Sequence, residues 1–134
     1  MRTMIAGLSA LLLLTACAAA QKEKVLEISD ETPVSVSYMR RYEYALDIES
    51  SDPDLIRDLT EKIGNITYGK ESHMETIDYT DILVFTMADG SRNMYEFEAD
   101  NIVIGRKRYE VTGGLKELRA SLEEFVRSMG YGDE

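Results

Sequence analysis

Few side chains in this sequence have chemistry to offer. There is one histidine and one cysteine. His73 stands in Glu71-Ser72-His73-Met74-Glu75, and a histidine flanked by two carboxylates is the beginning of a metal-ligand set. A structural zinc site needs about four ligands in which Cys or His predominate. The chain does not supply them, so no metal is expected and His73 reads as a solvated loop residue. A Ser–His–Asp hydrolase would need His73 together with a G-x-S-x-G elbow, and no such elbow occurs. Asp89-Gly90-Ser91-Arg92-Asn93 starts like a calcium loop but lacks the D-x-[DN]-x-[DN]-G spacing. Asp-Gly between two apolar runs is instead a hairpin signal. Paired carboxylates could serve a glycosidase, yet with 25 acidic residues chance pairs are unavoidable. No Gly-rich phosphate loop is present, no catalytic residue is identified and no cofactor is implied.

The tyrosines are more suggestive. Tyr38, Tyr42 and Tyr44 recur at even positions beside Arg40 and Arg41. Tyrosine and arginine are typical anchors of binding surfaces, which makes Tyr38, Arg40, Arg41, Tyr42 and Tyr44 candidate partner-binding residues. The competing reading puts the tyrosines over a sheet core, with the arginines paired to nearby acids.

The cysteine closes the most apolar run of the chain. Arg2 is the only charged side chain before it, Met4 to Leu14 is uncharged and mostly apolar, and small residues follow. A basic start, a short apolar segment and a small-residue end describe a secretory signal peptide. The apolar segment is too short to span a bilayer, which takes roughly 20 residues. Leu14-Thr15-Ala16-Cys17 then resembles the lipobox of bacterial lipoproteins. The resemblance implies cleavage before Cys17, a diacylglyceryl group on its sulfur, and a domain held by membrane lipid on the extracytoplasmic face of the cell membrane, or at an outer membrane where the host has one. A rival is Ala18-Ala19-Ala20, which satisfies the A-x-A rule for ordinary cleavage and would release a soluble protein from Gln21. Two acyl chains give stable attachment where one holds only marginally.

Residues 1–16 are thus read as a signal peptide, 17–24 as the lipidated cysteine and a polar spacer, and 25–134 as one domain beginning near Val25 or Pro33. Fourteen of the 15 basic residues and all 25 acidic ones lie after residue 16, a formal charge of −11. Such acidity repels phosphate backbones and anionic lipid heads, which argues against nucleic acid and against an electrostatic grip on membranes. With Cys17 acylated no thiol remains for a disulfide, so stability must come from apolar packing.

The elements follow from periodicity. From Pro33 to Glu49 apolar and polar residues alternate, which is the mark of a half-buried strand. The run is long for one strand, and Arg40 falls on its apolar side, so a bend or bulge is expected near Met39 to Arg41. The next segment opens with Ser51 or Asp52 as a helix cap and Pro53 in the first turn. Leu55, Ile56, Leu59 and Ile63 make one helical face over about 53–63, closed by Gly64. Short strands are expected near Ile66 to Tyr68 and over Asp81 to Met87. A meander follows, with turns at Asp89-Gly90, Asp100-Asn101 and Arg106-Lys107. Leu115, Leu118, Leu122, Phe125, Val126 and Met129 mark a final helix stopped by Gly130.

The fold class is therefore α+β: an antiparallel sheet of about five strands packed against two amphipathic helices in a two-layer sandwich. Residues 82–111 also resemble the strand–turn–strand pattern of small extracytoplasmic domains in bacterial lipoproteins, which implies an architecture and no activity. The function expected is a non-enzymatic binding module for an envelope protein or another cell-envelope component. The alternatives are a small carboxylate-based envelope hydrolase and a secreted soluble inhibitor.

Overall fold

The computed structural model describes residues 23–41, 45–73 and 80–131. Cys17, Tyr42, Tyr44 and Glu75 lie outside them. Eight strands and two helices follow in the order β1 (Lys24–Val25), β2 (Ser35–Arg41), β3 (Ala45–Ser50), α1 (Pro53–Gly64), β4 (Thr67–Ser72), β5 (Thr80–Thr86), β6 (Arg92–Glu98), β7 (Asn101–Ile104), β8 (Lys107–Gly113) and α2 (Leu115–Ser128). The strands form one sheet in the order β1-β4-β8-β7-β6-β5-β2-β3, and every pairing is antiparallel. The α+β class is as expected. The strand count is eight and not five.

Part of the difference is the alternating run from Pro33 to Glu49. It is not one bent strand but a hairpin, in which Arg41 pairs with Ala45 and Tyr38 with Ile48. Even-numbered residues pair with even-numbered residues throughout. Paired residues share a sheet face, so Val36, Tyr38 and Arg40 fall on the same side as Leu46 and Ile48. The alternation passes through the reversal without a change of phase, and a full turn reads in sequence like a bend.

One sheet face carries the core. Val36, Tyr38, Ile48, Leu83, Phe85, Phe97 and Ile102 join Ile56, Leu59 and Ile63 of α1 and Leu118, Leu122 and Phe125 of α2 in a single buried cluster. Each fully buried aliphatic or Phe side chain there contributes about 1.5–3 kcal/mol. The opposite, helix-free face presents Met39, Ile82, Val84 and Val103, all half-buried, together with Glu96, Glu98 and Arg108.

Helix α1 starts as its sequence requires: the Asp52 side chain accepts from the Asp54 N–H at 3.1 Å and Pro53 occupies the first turn. Gly64 does not close it in a left-handed conformation; it is still helical, and Asn65 caps. The glycine provides room instead, because a Cβ there would stand 3.2 Å from Ile28 Cδ1. Helix α2 closes with a Schellman pair, Tyr131 N–H to Val126 O at 3.2 Å and Gly130 N–H to Arg127 O at 3.0 Å, with Gly130 at φ +87°.

The meander turns differ from the expected ones in detail. Asp89-Gly90 is part of a three-residue loop between the paired Met87 and Ser91, and only Gly90 has positive φ. The next turns centre on Ala99-Asp100 and Gly105-Arg106, one residue earlier than expected in each case. Gly105 and Arg106 both have positive φ, as a two-residue type I′ turn requires.

Candidate functional site

Of the residues expected to meet a partner, two are in the core. Tyr38 is 0 % exposed and Arg40 is buried beside it on β2. The Tyr38 hydroxyl donates to Asp81 of β5, and Arg40 Nε donates to that hydroxyl oxygen at 2.8 Å. Arg40 Nη2 reaches Glu123 on α2. From the same helix Arg119 Nε lies 3.5 Å from Asp81 Oδ2, and its Nη1 lies 3.1 Å from Asp100. Arg119 Nη2 donates to the carbonyl of Ala99. Two strands, a turn and a helix are joined by these groups. Buried charges persist only when paired and hydrogen-bonded, and this requirement places Arg40 on the apolar side of its strand.

Burial pushes the Tyr38 phenol well above its ordinary range, and the Asp81 carboxylate adds to that, so the hydroxyl stays protonated. Burial opposes the Arg40 charge, but Tyr38 and Glu123 outweigh it and its pKa rises. Tyr38 and Arg40 therefore pin α2 to the sheet and are withdrawn from the partner-binding set. Arg41 remains exposed.

The other sequence candidates are dispersed. His73 is exposed at the end of β4. Glu71 faces Lys107 at 3.9 Å. The Asp89 carboxylate takes both the N–H and the hydroxyl of Ser91, at 2.9 and 2.6 Å, which lowers its pKa. Among the described residues no group of three or more His, Cys, Asp or Glu could hold a metal ion. Nor is any described helix long and apolar enough to cross a membrane.

A carboxylate pair does stand out on the helix-free face. Glu96 and Glu98 alternate along β6, about 7 Å apart at Cα. Glu98 is buried and accepts from Arg108 Nε. The Glu96 carboxyl is pushed up, first by burial and then by its hydrogen bond to Glu98 and that group's charge, while Arg108 and Arg41 pull the other way.

A groove of about 700 Å³ lies between residues 24–27 and the β6–β7 strands. Val25, Tyr68, Met94, Tyr95, Val103 and Ile104 are among its apolar lining residues. Lys24, Glu27, Glu96 and Arg106 supply its charges, two of each sign. The ring of Tyr68 packs on Tyr109 at 5.6 Å between centroids and that of Tyr95 packs edge-on against Phe85 at 5.8 Å, so both walls are supported from behind. The volume falls within the roughly 300–1,000 Å³ of small-molecule sites.

The chain matches no known protein family, no curated protein and no solved structure.

The groove combines an apolar lining with balanced charge, and the helix-free face offers half-buried aliphatics among ionic residues. Neither was visible in the sequence. The groove forms only because residues 24–27 return beside β4, through the pairs Lys24–Tyr68 and Val25–Thr67, and no local pattern encodes that pairing.

Proposed function

We propose that this chain is a lipid-anchored extracytoplasmic lipoprotein of bacteria whose folded domain binds an envelope protein or another cell-envelope component without catalysing a reaction. Acylation at Cys17 accounts for the Leu14-Thr15-Ala16-Cys17 motif and the polar spacer that follows. The observation that carries the binding role is the helix-free sheet face: Met39, Ile82, Val84 and Val103 are covered by none of the described helices, and Arg41, Glu96 and Arg108 stand among them. Apolar centres rimmed by charge are what a protein partner covers.

The anchor is tested by the intact mass of the processed protein beside Cys17→Ala. The expected product begins at Cys17 and carries acyl groups, and the variant leaves the membrane fraction. A product beginning at unmodified Gln21 would refute the anchor. Binding is tested by cross-linking in detergent-solubilised membranes. Partners recovered with the wild type should be lost with Val84→Asp, and equal recovery with both would count against this face.

A second reading, a carboxylate-based hydrolase, is favoured by Glu96, whose carboxyl is pushed up and which lines the groove together with Glu27. Hydrolysis of purified envelope glycan that disappears in Glu96→Gln would establish it in place of the binding role.

A further inference from the structure

We propose that the groove side of the domain lies against the bilayer, with Val25, Ile28 and Met94 seated among the lipid heads and upper acyl chains. The inference rests on the reading of Cys17 as the acylated residue. From Cys17 to Glu23 the chain can reach at most about 22 Å, and β1 begins one residue later, in the groove wall. The anchor therefore keeps this part of the domain close to the membrane.

Exposure points the same way. Six large apolar side chains are exposed among the described residues, and three of them gather here: Val25 at 60 %, Met94 at 64 % and Ile28 at 39 %. Ile28 and Met94 share a hollow of about 470 Å³ that adjoins the groove through Glu27 and Tyr95. Contiguous apolar exposure marks a surface that is covered in use.

Charge separates this side from the rest of the domain. The residues after position 16 carry −11 overall, which an anionic membrane surface repels. The groove itself is balanced, with Lys24 and Arg106 against Glu27 and Glu96. The opposite edge strand, β3, turns the exposed Asp47 and Glu49 outward. It lies seven strand spacings from β1, about 34 Å along the sheet. A domain with the groove down sets its neutral apolar side on the lipid and its acidic edge in water. The contact is apolar.

The chain contains no tryptophan, so one introduced residue reports alone. Met94→Trp and, as the distant control, Asp47→Trp are made in the acylated full-length protein and reconstituted in phosphatidylcholine vesicles with brominated acyl chains. Met94 is the informative position because it lies on β6, across the groove from β1, which follows the tether. Emission from Met94→Trp should be quenched severalfold more than from Asp47→Trp. Equal quenching of the two, with acylated Cys17 confirmed by mass and the protein still on the vesicles, overturns the orientation and leaves the anchor standing. A blue-shifted Met94→Trp signal without bromine quenching means that protein, such as a second copy, covers the patch, and also overturns it. An unacylated protein that remains in the supernatant refutes the anchor itself and removes the basis of the orientation.

Discussion

The Tyr38 hydroxyl donates its proton to Asp81, a residue 43 positions away on the neighbouring strand, and both groups are sealed from water. Their register partners are Leu83 for Tyr38 and Arg40 for Asp81, so the bond runs diagonally across the β2–β5 ladder. The diagonal lets Arg40 donate to the same oxygen from the other side. One hydroxyl thus connects an acid to a base in an apolar layer.

Removing that connection should be costly, and unequally so. Tyr38→Phe keeps the packing but leaves Arg40 Nε and Asp81 each short of a partner, a loss of about 1–3 kcal/mol. Asp81→Ala leaves the buried Arg40 and the half-buried Arg119 without the carboxylate they share, and should cost more, about 3–5 kcal/mol. Urea unfolding of the two variants gives the order directly. An Asp81→Ala protein as stable as the wild type would show that the network contributes nothing to folding.

Two glycines with the same backbone conformation should respond differently to alanine. Gly114, which precedes α2, and Gly130, which ends it, both have φ +87°. A Cβ on Gly130 meets nothing within 4 Å, whereas one on Gly114 would stand 2.6 Å from the Asn65 carbonyl oxygen. Gly130→Ala should lose only the conformational preference, about 1–2 kcal/mol. Gly114→Ala adds a backbone collision and should exceed it. Equal melting temperatures for the two variants would contradict the close approach of α2 to the end of α1.

The carboxyl of Glu96 makes stability depend on pH in a sense unusual for an acid. Its folded pKa lies above the ordinary 4.5, so the folded state holds the proton more tightly than the unfolded state does. The stability this confers is fully present below the unfolded pKa and is lost as pH rises through the folded one. Asp58, held down chiefly by its bond to Lys62, acts oppositely: its contribution is present above its unfolded pKa and lost as pH falls. Glu96→Gln should therefore gain on the wild type as pH rises above about 4.5, and the two should converge in more acid solution. Thermal melts across the acid-to-neutral range would expose a constant difference if burial of Glu96 were not the cause.

Edge charges should keep the sheet from pairing with other chains. Asp47 and Glu49 are exposed side chains of β3, a strand with only one partner among the described residues. Acidic residues on an open edge discourage pairing with another chain. Asp47→Val with Glu49→Val should raise the apparent mass in light scattering, while the same changes leave the core side of the strand, Leu46 and Ile48, untouched. An unchanged mass would show that these charges do not guard the edge.

Composition and periodicity alone determined the α+β class, the existence of the meander, and both helices with the residues they bury, although Met129, expected on the apolar face of α2, caps that helix and is exposed. These depend on contacts a few residues apart, so local spacing reports them. The end of α2 was legible because Gly130 closes it through bonds to residues within one turn. Tertiary structure decided the rest. Alternation from Val34 to Ile48 could not reveal the reversal after Arg41, because antiparallel pairing of even with even preserves the phase. Arg40 looked like a misplaced surface charge until Asp81 and Glu123, 41 and 83 residues further on, came within its reach. The groove likewise needs residues 24–27 beside β4 and β7. A buried charge, or a hollow between distant strands, is stable only through partners that folding brings together, and no local window of sequence contains both halves.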